Sequence, residues 1–155
     1  MVMRWLELKV PPPAVALFFG VLMWLASPLV APIEVSFGIR VAVAVVIASV
    51  GLVFGIAGMV SVVRAKTTMN PTKPNATSSL VTGGIFGITR NPMYLSLLLY
   101  LLAWAMYLSS WPVVLFLPVF VLYITEFQIK PEERALSSLF GVEYAAYKAR
   151  VRRWL

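Results

Sequence analysis

Three long stretches without a single charge constrain this chain most. They run from Val10 to Ile33, from Val41 to Val63, and from Asn91 to Thr125. Each of the first two is long enough to cross a hydrocarbon core of about 30 Å as a helix. The third is too long for one straight helix rising about 1.5 Å per residue. Ser109-Ser110-Trp111-Pro112 breaks it, because proline cannot continue a helix interior and tryptophan favours the headgroup level. The pattern predicts an all-α, polytopic membrane protein. Its four transmembrane helices fall at roughly 10–33, 41–63, 92–108 and 112–129, the last two forming a tight hairpin, with Pro118 a kink point in the fourth.

Composition agrees. Hydrophobic residues make up 61% of the chain and charged residues 12%, against about 45–50% and about 25% in soluble domains. At 155 residues one membrane domain, 1–155, is expected. Arg4 and Lys9 ahead of an apolar run also fit a signal peptide, but the run is longer than a usual signal core, so it is read as a span. Of the thirteen basic residues, only Arg40 falls on one side of a four-span arrangement. The rest lie in Met1–Lys9, Arg64–Arg90 and Lys130–Leu155, and the positive-inside bias makes both termini and the middle loop cytosolic, in the cell membrane. The net charge of +7 is explained by this flanking role. No basic stripe interleaved with stacking aromatics is present, so nucleic acid is not an expected partner.

The chain has no cysteine and no histidine. That excludes disulfides, a cysteine nucleophile, histidine-based catalysis and the usual metal sites, and no metal is expected. All six acidic residues are glutamates. The C-terminal segment places Leu136, Phe140, Tyr144, Tyr147, Val151 and Trp154 at spacings of three and four, one face of an amphipathic helix suited to the membrane surface, with Gly141 a point of interruption.

Polar chemistry gathers in two stretches, Leu80–Tyr94 and Lys130–Tyr144, which the hairpin brings together as a cytosolic region formed by 64–94 and 130–155. In the first, Gly83, Gly84 and Gly87 permit positive φ and close approach of backbone to a ligand. Asn91 is a plausible N-cap for a helix with Pro92 in its first turn, and Arg90 offers a bidentate donor to an anion. In the second, Pro131-Glu132-Glu133 starts a helix. Its acids either stabilise the macrodipole or face a cationic ligand. Glu126 either reaches the headgroups or joins the site.

These stretches resemble the C-terminal signature of the isoprenylcysteine carboxyl methyltransferase and phospholipid methyltransferase superfamily. The residues that carry the likeness are Arg90-Asn91-Pro92-Met93-Tyr94, Glu132-Glu133, Phe140-Gly141, Tyr144, Tyr147 and Val151-Arg152-Arg153-Trp154, with Arg64-Ala-Lys-Thr-Thr-Met-Asn-Pro71 similar to a loop of bacterial members. The resemblance covers roughly residues 64–155 and implies S-adenosylmethionine as methyl donor. It implies Gly83, Gly84, Arg90, Pro92, Tyr94, Glu132 and Glu133 as cofactor-binding residues, and Arg90, Asn91, Tyr94 and Glu132 as the catalytic set. Asn91 stands where the family has histidine, so it can position a group but cannot carry a proton. Expected partners are membrane lipids and a lipophilic methyl acceptor. With no histidine, an isoprenylcysteine-like carboxylate is favoured over a phospholipid amine, since a carboxylate is already ionised at neutral pH. Two alternatives stand beside this reading. Distantly related membrane sterol reductases share the C-terminal architecture and use a nicotinamide cofactor. A small four-helix transporter or scaffold is the non-enzymatic alternative, although no uncharged core supplies the buried ionisable group a coupled transporter needs.

Overall fold

The computed structural model describes residues 7–66 and 79–155. Among them there is no strand. The helices are α1 (Pro12–Ala26), α2 (Phe37–Arg64), α3 (Pro92–Leu108), α4 (Trp111–Val114), α5 (Phe116–Ile124) and α6 (Lys130–Arg150). Short 3-10 turns cover Ser27–Leu29 and Gly84–Gly87, and a π-helical turn, Thr125–Ile129, joins α5 to α6. Among the described residues, three helical stretches are long and apolar enough to cross a membrane: Pro12–Leu29, Phe37–Arg64 and the arm Trp111–Arg150. The apolar α3, of 17 residues, lies at the short end of the spanning range. In the arm, the uncharged part ends at Thr125 and is the part suited to a hydrocarbon core; charges begin at Glu126.

Prolines set the breaks. Pro112 follows the end of α3, and Ser109 takes a left-handed φ of 52° to turn the chain. That turn is tied to the loop after α1, with Ile33 N–H donating to Ser109 O at 2.7 Å and Ser109 Oγ–H donating to Ile33 O at 2.9 Å. Pro118 cannot donate to Val114 four residues back, and the helix divides there into α4 and α5.

Pro131 presents the same defect with a different outcome. The helix start expected at Pro131-Glu132-Glu133 is where α6 begins, at Lys130, but α6 follows the π turn without a break in the arm. The carbonyl that Pro131 frees, that of Phe127, accepts the N–H of Leu8 at 3.0 Å. With the orphan acceptor satisfied, the helix need not stop. Gln128 Nε2 adds a bond to Val10 O at 2.8 Å, and Arg134 pairs with Glu7. Residues 7–10 are thus held against the arm.

The expected span 41–63 also begins earlier than the uncharged run. Arg40 lies in the first turns of α2 because its Nε donates to Tyr107 O at 3.0 Å and its guanidinium sits over the Tyr107 ring. The loop motif that continues Arg64–Lys66 to Pro71 lies outside the described residues.

Packing is tightest between α2 and α3. Gly51, Gly55 and Gly58 form a stripe on α2 against which α3 lies. A Cβ on Gly55 would stand 2.8 Å from Ser96 Oγ, and one on Gly58 would stand 3.1 Å from Met93 Cγ and 3.2 Å from Pro92 Cγ. Small residues at such a seam let helix backbones approach where lipid supplies no hydrophobic drive. Helix α1 packs across α3 and α5, with Phe19 edge-on to Phe120 and Trp104 Nε1 donating to Gly20 O at 3.1 Å.

The seam yields a prediction. Gly58→Ala gains about 1 kcal/mol of helix propensity but overpacks a rigid proline ring, at a cost of about 1–3 kcal/mol. Gly38, on the same helix, has nothing within 4 Å of an added Cβ. Thermal unfolding in detergent should therefore show a lower midpoint for Gly58→Ala and an equal or higher one for Gly38→Ala.

Candidate active site

A cavity of about 540 Å³ lies where α2, α3 and α6 meet. Its charged end is built by three segments remote in sequence: the approach to α3, the start of α6 and the C-terminal tail. Tyr94 Oη–H donates to Glu132 Oε1 at 2.9 Å. Glu133 lies between two arginines. Arg90 Nη2 stands 3.1 Å from its Oε1, while Arg153 donates through Nε at 3.0 Å and Nη2 at 2.8 Å. The tail backbone closes the arrangement, with Arg90 N–H donating to Arg152 O at 3.0 Å and Asn91 Nδ2 donating to Arg153 O at 2.8 Å. Thr89 Oγ1–H donates to the same carbonyl at 3.3 Å.

The two glutamates differ in electrostatics. Burial pushes the Glu132 carboxyl up to about 7; the Tyr94 hydrogen bond opposes the rise and the Glu133 charge adds to it. For Glu133 burial also acts upward, but the Arg153 hydrogen bonds and the charges of Arg90, Arg153 and Lys148 together hold it below the usual carboxylate range. Glu133 is thus ionised at neutral pH, and Glu132 is poised between its two states. Burial raises the hydroxyls of Tyr144 and Tyr147, the latter to about 12, so both are neutral donors at the cavity wall. Tyr147 Oη–H donates to Phe86 O at 2.7 Å and fixes the 3-10 turn to α6.

Arg90 is the informative residue. Its side chain is only 10% exposed, and its Nε and Nη1 are buried without a hydrogen-bond partner. A buried cation with idle donors costs free energy unless an acceptor meets them. Arg90 thus holds donor capacity that no described protein group uses.

Arg90, Asn91, Tyr94, Glu132 and Glu133 all line the cavity. Asn91 does so without capping α3: it occupies the N-cap position, but its side chain makes no capping bond and is spent on the tail carbonyl. Pro92 is buried outside the wall, against Gly58. Gly83 and Gly84 are exposed and do not line the cavity. Only Gly84 of the Gly83, Gly84 and Gly87 set takes a positive φ, 59°, and it turns the chain so that Leu80, Val81 and Phe86 form the wall. Glu126 is also outside the wall, paired with Lys130 one helical turn on. The C-terminal helix keeps Tyr144, Tyr147 and Val151 buried against Leu80 and Phe86, and its face serves the cavity. Helix α6 ends at Arg150, and Trp154, beyond it, packs on the main core.

The sequence reading assigned no role to Arg153 or Thr89, nor a place in the wall to Tyr144 and Tyr147. The three-residue spacing of the two tyrosines was the available signal, and it also fits a membrane-surface helix.

The family model described as phospholipid methyltransferase matches residues 39–143. An uncharacterized protein of Haemophilus influenzae is similar as well, 54% identical over 63 residues, which are 41% of this chain and 100% of that protein. No solved structure matches.

The ion bridge can be tested by stability. Glu133→Gln leaves two arginines facing a neutral partner and should cost about 3 kcal/mol or more, as for a broken buried pair. Glu126→Gln removes an exposed pair, worth about 0–1 kcal/mol. Denaturation in detergent should rank them in that order.

Proposed function

Given that the chain belongs to the phospholipid methyltransferase family, and is a membrane methyltransferase, we propose that it takes the methyl group of S-adenosylmethionine and transfers it to a lipophilic acceptor. The observation that carries this reading is Arg90, a cavity-lining residue with two buried donors that no protein group meets. The donor's amino-acid end has a carboxylate, which the guanidinium can bind in bidentate fashion, and an ammonium, for which Glu132 is the available carboxyl. The cavity is within the volume range of small-molecule sites, about 300–1,000 Å³. When bound, the donor supplies a methyl carbon activated by its sulfonium.

The protein's part is to bind, align and exclude water. Arg90 holds the anionic end, Glu132 faces the cationic groups, and Tyr94 fixes the Glu132 carboxyl in orientation. Asn91 positions the tail and carries no proton. The turn at Gly83 and Gly84 presents Phe86 to the cavity. The acceptor reaches the site from the bilayer. Leu52, Ile56 and Met59 line the cavity and are also half-exposed on the apolar face of α2, which gives the cavity a side open toward lipid. A second apolar groove of about 680 Å³ follows the α1–α3 seam and shares Leu97 and Tyr100 with it. The basic residues of Arg64–Arg90 and Lys130–Leu155 favour a cytosolic site in the cell membrane.

For the acceptor, an isoprenylcysteine-like carboxylate needs no base. Glu132 favours the second reading, a phospholipid-type amine. A buried carboxyl that titrates near neutrality repels an anionic nucleophile when ionised, whereas it attracts an ammonium and can take its proton.

Titrating purified protein with S-adenosylmethionine tests the reading. Glu132→Gln should weaken binding more than Glu143→Gln, at an exposed position; equal effects from the two, or no binding by the native protein, would sink it. The pH dependence supplies a second check. The ionised form of Glu132 is the one that attracts a cation, so kcat/KM should rise as pH increases through about 7. Glu132→Gln should flatten that rise.

A further inference from the structure

Arg153 lies in the tail, and its half-buried side chain, 34% accessible, could pass for one half of a surface ion pair. Its geometry says otherwise. Glu133 receives two hydrogen bonds from Arg153, through Nε and Nη2, and a single contact from Arg90, through Nη2. A carboxylate has about four lone-pair sites and prefers a guanidinium in the two-pronged arrangement. Arg153 occupies that arrangement. Arg90 is left with an end-on contact, and its Nε and Nη1 are buried without a protein partner, in a side chain that borders the cavity.

The tail backbone does not depend on the Arg153 side chain. The Arg152 carbonyl accepts from Arg90 N–H, the Arg153 carbonyl accepts from Thr89 Oγ1 and Asn91 Nδ2, and Trp154 Nε1 donates to Thr125 Oγ1 at 3.3 Å. Truncating the guanidinium therefore leaves the tail anchored while freeing two sites on Glu133.

We propose that Arg153 is a positioning residue: by saturating Glu133 it keeps Arg90 from closing a two-pronged pair with that glutamate, and so holds Arg90 Nε and Nη1 available for the carboxylate of the bound ligand. The ligand's identity rests on the S-adenosylmethionine reading; the competition between two arginines for one glutamate does not. Without Arg153, Glu133 draws Arg90 sideways into the vacated geometry. The donors meant for the ligand are then consumed inside the protein. Removing the charge of Glu133 in the same chain removes the pull.

The test combines a ligand-free readout with a pair of ligands. In full-length protein carrying isotope-labelled arginine, the Arg90 Nε–H NMR resonance should move in Arg153→Ala. It should return toward its native position in the double variant Arg153→Ala with Glu133→Gln. Binding is then measured with S-adenosylhomocysteine, which has the carboxylate, and with methylthioadenosine, which lacks it. Arg153→Ala should weaken the first about tenfold, the scale of a charge-assisted hydrogen bond, and leave the second within about twofold. Arg153→Lys, with one ammonium in place of the fork, should fall between native and Ala. The double variant should recover affinity for S-adenosylhomocysteine relative to Arg153→Ala. An unmoved Arg90 resonance, or equal weakening of both ligands, would overturn the proposal and leave Arg153 a structural residue. Native protein that binds neither ligand would count against the methyl-donor reading, and the ligand-free spectra would still decide the competition.

Discussion

The polar end of this molecule depends on one ion bridge, Arg90–Glu133–Arg153. It joins the approach to α3, the beginning of α6 and the C-terminal tail, which are far apart in sequence and also meet through the Tyr94–Glu132 bond and the bonds of Thr89, Arg90 and Asn91 to the tail carbonyls. Burying such charges is expensive, and the attraction repays the cost only where geometry is good and remaining donors are satisfied. Glu133 meets that condition, with both oxygens engaged by arginine. Arg90 does not, because two of its nitrogens have no partner. The imbalance falls on a residue that lines the cavity.

The remainder of the fold holds that bridge at one end of an apolar body. The glycine stripe of α2 sets how closely α3 approaches, and α3 carries Tyr94 into the cavity beside Glu132. The arm from Trp111 to Arg150 carries the two glutamates before a kink at Gly141, the interruption expected from the sequence, and the two wall tyrosines after it. Its continuity past Pro131 relies on Leu8, from the opposite end of the described chain, satisfying the Phe127 carbonyl. The resulting cavity has charged groups at one end and half-exposed aliphatic residues of α2 at the other. That asymmetry suits a reaction between a polar donor and a lipid-soluble acceptor.

Much of this was legible in the sequence. Charge-free runs and the Ser109–Pro112 break located the hairpin, and α3 spans Pro92–Leu108 as expected. Arg90, Asn91, Tyr94, Glu132 and Glu133 come together as their spacing around the hairpin suggested. What could not be read depends on tertiary partners. Absence of charge misplaced the start of α2, because Arg40 is accommodated by the Tyr107 carbonyl and ring. Proline marked the start of α6, but nothing in the sequence shows that Leu8 satisfies the freed carbonyl and lets α6 follow the π turn without a break. Amphipathic spacing in the last helix could not distinguish a membrane surface from a cavity, and it says nothing of a tail that folds back to place Arg153 on Glu133. Gly83 and Gly84 fit a ligand-binding turn by composition, yet they stand exposed outside the wall.

The central claim is transfer of a methyl group to a lipid-soluble acceptor at the Arg90 site. The most direct measurement incubates purified protein with methyl-radiolabelled S-adenosylmethionine and extracted membrane lipids, then counts label in the organic phase, for native protein and for Arg90→Ala. Time-dependent label in the lipid fraction with native protein, and its loss in the folded Arg90→Ala variant, is the expected result. Native protein that binds the donor but leaves the lipid fraction unlabelled, or an Arg90→Ala variant that labels it as fast as native, would contradict the claim.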